Sequence, residues 1–243
     1  LQYEMTYTNV LNMLDLAGIP VWARDRREGD PIVICGGSGS FNPEPLSSFV
    51  DAFVLGEGEE AVIELVDRIR EWKRRGVPRQ ERLRDLLGMP GVYAPAFYEA
   101  RYDDAGRFAA LEPLTPDAPR VIRRRIVEEL PPPLVKPIVP FLQTIHDRAS
   151  VEIQRGCTQG CRFCQAGMIY RPARERTADA VVQAARDLMA NTGYDELSLL
   201  SLSTTDHSQI VPMVNTLTDT FENLKVGIPS TRVDGFSVDI ANA

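Results

Sequence analysis

Short apolar runs that end in glycine or polar loops alternate with amphipathic helical patterns at both ends of this 243-residue chain. Strands separated by a helix cannot fold back as hairpins; they lie parallel, and a parallel sheet needs its faces covered. The first stretch predicts a helix over 7–17, with Val10, Leu11, Leu14 and Leu16 apolar and Gly18 as its stop. Strands follow at 31–35 and 51–55, running into Gly36-Gly37-Ser-Gly39 and Gly56-Glu-Gly58. A helix over 59–75 presents Val62, Ile63, Leu65, Val66 and Ile69, and Gly76 ends it. The alternation resumes with a strand at 150–154 and a helix over 177–191 that starts at Thr177, a good N-cap, and carries Val181, Val182, Ala185, Leu188 and Met189. A strand at 196–200, a helix from Ser208 with Ile210, Val214, Leu217 and Phe221 inward, and a strand at 224–228 complete the pattern. Pro212 falls in that helix's first turn, where it is tolerated.

Residues 78–145 break the alternation. The segments 92–102 and 107–111, on either side of Asp103-Asp104-Ala-Gly106, predict a β-hairpin. Prolines at 113, 116, 119 and 131–133 then keep the chain extended, and Val121, Ile122, Ile126, Val135 and Ile138 would anchor it as an ordered strap. Three regions are therefore expected: 1–77, a connector over 78–145, and 146–243. The opening at Leu1 without Met, and a helical pattern only beginning at Val238, predict an excerpt of a longer protein.

Hydrophobic content of 44% and charged content of 25% are those of a soluble globular protein. A net charge of −7 does not favour RNA or DNA as partner, although Arg120, Arg123, Arg124 and Arg125 form one basic strip and Arg171, Arg174 and Arg176 another. The first strip reads as a solvated face. No apolar run approaches the roughly 18–20 residues of a bilayer span, so no membrane partner is expected. Four cysteines without a targeting segment suit a reducing cytoplasm.

Three of those cysteines, Cys157, Cys161 and Cys164, stand at C-x₃-C-x₂-C spacing behind the strand at 150–154. Iron–sulfur centres ordinarily take four thiolates. Three on one loop, with no fourth nearby, would leave one iron of a [4Fe–4S] cubane open to a ligand. Structural zinc needs four ligands, and His146, His207 and Cys35 are poorly placed to complete the set. A disulfide would strand one thiol. Three inert buried thiols are the remaining alternative, ill suited to a Gly-rich loop.

The loop, Cys157-Thr-Gln-Gly-Cys161-Arg-Phe-Cys164-Gln-Ala-Gly, resembles that of the radical S-adenosylmethionine (SAM) superfamily. The order Gly-Gly loop, Pro43 and Pro45, second strand, then Gly-Glu-Gly-Glu-Glu opening a helix is similar to the cobalamin-binding-type domain that precedes the barrel in one group of that superfamily, an uncharacterised bacterial one among them. The resemblance implies an α/β fold: part of a Rossmann-like parallel sheet, then the first half of a partial (β/α)6 TIM-like barrel. Active sites of such barrels lie at the carboxyl ends of strands, where the cysteine loop falls. It implies a [4Fe–4S] cluster on Cys157, Cys161 and Cys164, SAM chelated at the open iron, reductive cleavage to a 5′-deoxyadenosyl radical, and an external electron donor of the flavodoxin or ferredoxin type. The substrate is not implied.

Further roles follow from the resemblance. Phe163 matches the aromatic beside the adenine. The family's Gly-Gly-Glu after the second strand is replaced here by Ser201-Leu-Ser203-Thr204-Thr205-Asp206, so Ser203 and Thr204 are expected to meet SAM's amino group. Arg174 and Arg232 are expected near SAM's carboxylate or a substrate anion. His207 reads as a surface or supporting residue. The family's Asp-x-His-x-x-Gly cobalamin motif is absent, which argues against cobalamin. Methylation, methylthiolation and rearrangement all fit, although methylthiolation usually needs three more cysteines and only Cys35 lies outside the loop. The rival readings are a non-catalytic iron–sulfur electron carrier or redox sensor, and a zinc-stabilised RNA-binding module.

Overall fold

The computed structural model describes residues 1–142, 144–235 and 237–242, and the chain divides into two compact units, Leu1–Val127 and Glu128–Ala243. The connector expected over 78–145 is therefore shared. Its first fifty residues, with Pro113, Pro116 and Pro119, lie in the first unit, and the strap from Pro131 onward lies in the second.

In the first unit, α1 (Tyr7–Leu16) precedes β1 (Ile34–Cys35) and β2 (Ala52–Val54), which pair in parallel as expected. Next come α2 (Glu59–Arg75) and α3 (Arg79–Leu86), then β3 (Val92–Tyr93), which joins β2 antiparallel. The hairpin of β4 (Tyr98–Tyr102) and β5 (Phe108–Pro113) follows. The expected strand at 92–102 is thus two strands in two sheets, divided at Pro95, whose ring cannot donate to a ladder.

Helix α2 shows why local pattern and burial can differ. Glu59 and Glu60 open it, Lys73, Arg74 and Arg75 close it, and Gly76 caps it at φ +64°, all matching the helix dipole and the left-handed cap. Ala61, Leu65, Ile69 and Trp72, spaced four, four and three apart, form the stripe that meets the core. Val62 and Ile63, expected on that stripe, are 59% and 65% exposed, and Val66 is also exposed, because they lie around the helix from it.

Beneath this core, Asp51 is buried between two buried arginines. Oδ2 accepts from Arg26 Nη1 at 2.8 Å and from the Val33 amide at 2.7 Å, and Oδ1 accepts from Arg79 Nη2 at 2.8 Å. The guanidinium groups spend further donors on the carbonyls of Pro20, Val21, Phe49, Asp30 and Pro31. Such a cluster is tolerated because its hydrogen bonds replace the lost water.

The second unit holds β6 (Ala149–Glu152), β7 (Gln154–Arg155), α4 (Ala166–Ile169), β8 (Arg174–Glu175), α5 (Ala178–Thr192), β9 (Glu196–Leu200), α6 (Ile210–Thr220), β10 (Lys225–Gly227) and α7 (Val238–Asn242). Its sheet has the order β10–β9–β6, all parallel, as a barrel's first three strands require. The pleat puts Ala149, Val151, Leu197, Leu199 and Val226 on the face packed against α5 and α6. Ser150, Ser198 and Gly227 stand in one row on the other face. Thr177 Oγ1 accepts from the Ala180 amide at 3.3 Å, the N-cap expected from sequence. Of the strap's expected anchors, Ile122 packs in the first unit and Val135 in the second. Val121 and Ile126 are exposed, and Ile138 is 96% exposed.

Candidate active site

The cysteine loop leaves the sheet through β7 and returns through β8, which pair antiparallel with Gln154 opposite Glu175 and Arg155 opposite Arg174. This two-residue ribbon closes the loop from residue 156 to 173. Gly156 makes the closure possible: its φ is +82°, and a β-carbon there would stand 2.4 Å from the Pro172 carbonyl oxygen and 2.5 Å from that of Tyr170. Gly160 has nothing within 4 Å of a β-carbon and no positive φ.

Backbone amides point at two of the three sulfurs. The Gln159 N–H donates to Cys157 Sγ at 3.4 Å, and the Gly167 N–H, in α4, donates to Cys164 Sγ at 3.3 Å. The Cys164 amide donates to the Cys161 carbonyl at 3.0 Å, turning the loop tightly between the last two thiols. Cys157 is buried, while Cys161 and Cys164 are partly open. Amide donors to sulfur stabilise thiolate charge and are among the levers that tune iron–sulfur centres. Among the described residues no three His, Cys, Asp or Glu side chains converge on a single metal-ion position. Corner ligands of a cubane each bind a different iron and stand farther apart than ligands sharing one ion. The donor set and its amides fit a cluster better than they fit zinc.

The loop is tied to the carboxyl ends of β9 and β10. Gln159 Nε2 donates to Asp206 Oδ2 at 3.0 Å, and Arg232 Nη1 donates to the same oxygen at 3.3 Å. Arg232 also pairs with Asp234, and Arg171 Nη2 donates to the Gln159 carbonyl at 3.3 Å. This chain of contacts gathers residues 159, 171, 206 and 232 at one end of the sheet.

The other expected residues fall around it with different environments. Phe163 is 92% exposed, so it is no packed loop side chain. Ser203 is buried with its Oγ unpartnered among the described residues. Thr204 is fully buried; its hydroxyl bonds Ser201 Oγ at 2.9 Å and the Leu199 carbonyl at 3.3 Å, and its amide bonds the Ser230 carbonyl at 2.8 Å. It thus fastens the loop after β9 to the chain after β10. Arg174 Nε donates to the Pro172 carbonyl at 3.3 Å. His207, read as a surface or supporting residue, is only 3% exposed. Its Nε2 bonds the Arg176 carbonyl at 3.0 Å and its Nδ1 accepts from the Gln209 amide at 3.0 Å. Both nitrogens are taken, which fixes it as a strut between β8 and α6 rather than a ligand. Gln159 and Asp234 carried no sequence signal, because a partner 47 positions away gives Gln159 its place.

The N-terminal region of radical SAM proteins matches residues 1–95, and the radical SAM superfamily model matches residues 151–240. The chain belongs to the radical SAM superfamily. An uncharacterized protein of Methanocaldococcus jannaschii is 23% identical over 251 residues, 99% of this chain and 45% of that protein. The ribosomal protein uS12 methylthiotransferase RimO of Prochlorococcus marinus is 34% identical over 86 residues, 35% of this chain and 19% of that protein. Among solved structures, the radical SAM methyltransferase TsrM of Kitasatospora setae, with cobalamin and a [4Fe–4S] cluster bound, superposes with a TM-score of 0.54 at 17% identity. The match covers 98% of this chain and 42% of TsrM, so the shared fold spans both units' sequence. The chain spans under half the length of these relatives. Among the described residues no helix is long and apolar enough to cross a membrane.

Proposed function

We propose that this chain carries the cluster-binding half of a radical SAM enzyme that transfers a methyl or methylthio group. The carrying observation is the closed loop with three thiols, two of them receiving backbone amides, at the carboxyl end of β6. Cys157, Cys161 and Cys164 would hold a [4Fe–4S] cluster. A cluster held there, reduced by an external donor, would supply one-electron reductive cleavage of SAM's carbon–sulfur bond. The chain's own side chains orient and enclose. Phe163, fully available beside Cys164, offers a ring face for an adenine. The unpartnered Ser203 hydroxyl supplies an acceptor for an ammonium group. Thr204 is assigned to the loop's architecture instead, since its hydroxyl is already engaged. Arg232, steered by Asp206 and Asp234, and Arg174 on β8 border the loop as donors to a carboxylate. An external reductant of the flavodoxin or ferredoxin type and a reducing cytoplasmic setting complete the proposal.

TsrM binds cobalamin within the same fold. The expectation against cobalamin, drawn from a missing motif, is withdrawn on that ground. The clearance at Gly37 and Gly56 is taken by the chain itself, however: a β-carbon would stand 2.5 Å from the Leu1 carbonyl oxygen at the first and 2.2 Å from that of Arg125 at the second. No step is routed through cobalamin. RimO's methylthiotransferase activity and TsrM's methyltransferase activity are what favour group transfer over rearrangement.

The test is anaerobic iron–sulfide reconstitution of the full-length protein, with EPR of the reduced form with and without SAM. A cubane-type signal that shifts with SAM, and is lost in the Cys157→Ala/Cys161→Ala/Cys164→Ala variant, is expected. A cluster indifferent to SAM would make this an electron carrier; zinc without a cluster would end the radical reading.

A further inference from the structure

The two sulfurs that receive backbone amides are served by donors held in different ways. The Gly167 N–H on Cys164 Sγ belongs to α4, where the Met168, Ile169 and Tyr170 amides bond the Gln165 and Ala166 carbonyls one turn back. Neighbours in sequence keep that donor in place. The Gln159 N–H on Cys157 Sγ lies in no helix or strand. Thr158 on one side is exposed, and a β-carbon on Gly160 on the other would have nothing within 4 Å. Packing of its flanks therefore does little to hold this turn.

Gln159 is held by hydrogen bonds to distant residues instead. Its Nε2 donates to Asp206 Oδ2 at 3.0 Å, and its carbonyl accepts from Arg171 Nη2 at 3.3 Å. Asp206 closes a single 3₁₀ turn, Thr204–Asp206, behind β9, with its amide on the Ser203 carbonyl at 3.1 Å. The oxygen that takes Gln159 also takes Arg232 Nη1 at 3.3 Å, so the chain beyond β10 steadies it.

We propose that Gln159 is a positioning residue: anchored on Asp206, it keeps its own amide on the Cys157 sulfur and so sets the reduction potential of a cluster held by the three cysteines. The inference rests on the cluster reading given above. A hydrogen-bonded N–H puts the positive end of its dipole beside the sulfur, which favours the more negative, reduced state, and such donors are a main lever on iron–sulfur potentials. The carboxylate of Asp206 acts in the opposite sense through its own charge, and Arg232 offsets that charge in part.

EPR-monitored redox titration of the reconstituted full-length protein tests it, in the wild type, Gln159→Met, Gln159→Ala and Asp206→Asn. The rate at which a chelator removes iron is the second readout. Gln159→Met fills similar space and cannot donate, so its potential should fall below that of the wild type, and iron should leave about fivefold faster, the equivalent of one hydrogen bond. Gln159→Ala should change both readouts in the same direction. Asp206→Asn keeps an oxygen that accepts from Gln159 and removes a negative charge, so its potential should stay at or above the wild-type value. A purely structural Gln159 would lower the amount of iron bound and leave the potential of the clusters that form where it was. Wild-type potentials in both Gln159 variants, an equal fall in Asp206→Asn, or loss of any titratable cluster from both Gln159 variants overturns the inference. A wild type that forms no cluster overturns the radical SAM reading beneath it as well, so the two failures are distinguishable.

Discussion

Replacing Gly156 with alanine should cost the loop far more than a methyl group's size suggests. An L-residue at positive φ is disfavoured by about 1–2 kcal/mol, and Gly156 sits at φ +82°. The added β-carbon would also meet the Pro172 and Tyr170 carbonyl oxygens at 2.4 and 2.5 Å. These are backbone atoms with no rotamer to escape into, so overpacking adds about 1–3 kcal/mol. The total, about 2–5 kcal/mol, rivals what the ribbon can resist. Strands β7 and β8 share only two residue pairs, and each backbone hydrogen bond contributes about 1 kcal/mol net. Opening the ribbon is therefore cheaper than unfolding the β10–β9–β6 sheet. Gly156→Ala should keep most of its global stability, with a urea midpoint corresponding to a loss of at most about 2 kcal/mol. Amide protection at Arg155 and Arg176 should disappear, and iron per protein after reconstitution should fall several-fold. Gly160→Ala is the internal control, since open space surrounds its β-carbon; it should load iron as the wild type does. A Gly156→Ala protein with wild-type amide protection and a full complement of iron would refute the reasoning.

Other outcomes follow from named contacts. Asp51→Ala leaves Arg26 and Arg79 buried without their shared counter-charge, and should lower the urea-derived stability by about 3–5 kcal/mol. For Glu64, burial raises the carboxyl pKa, but hydrogen bonds and charge from Arg125 and Arg68 outweigh it and hold the group below its ordinary value of 4.5. A depressed folded pKa means the stabilisation is present above pH 4.5 and lost as pH falls through the lower folded value, so Glu64→Gln should flatten the acid limb of a stability–pH curve. Asp206→Ala removes the acceptor shared by Gln159 and Arg232. It should cost about 1–2 kcal/mol, read as faster amide exchange across residues 157–164 and 232–235 with the sheet still protected.

Much of the site was legible in the chain itself, because the signals were local. Thiol spacing within eight residues, Thr177 before an apolar stripe, and Glu-rich and Arg-rich ends on α2 all act through neighbours in sequence. Helix α3 escaped notice because Arg79-Gln-Glu-Arg-Leu-Arg-Asp-Leu86 offers only Leu83 and Leu86 as apolar signal, and tertiary packing supplies the rest.

What only the tertiary structure decided were contacts between distant residues. Asp51 meets Arg79 across 28 positions and Gln159 meets Asp206 across 47. Thr204 meets the Ser201 hydroxyl and the Leu199 carbonyl, and the prolines from Pro131 onward border a cavity beside β6. Arg176 illustrates the difference most directly. In sequence it is one of three arginines on a basic strip; in the fold it is buried, its Nε on the Glu152 carbonyl and its Nη2 3.7 Å from the Glu152 carboxylate that Arg155 also meets. Local propensity and ligand spacing are properties of the chain, whereas burial and the competition for a shared counter-ion arise only when distant segments meet.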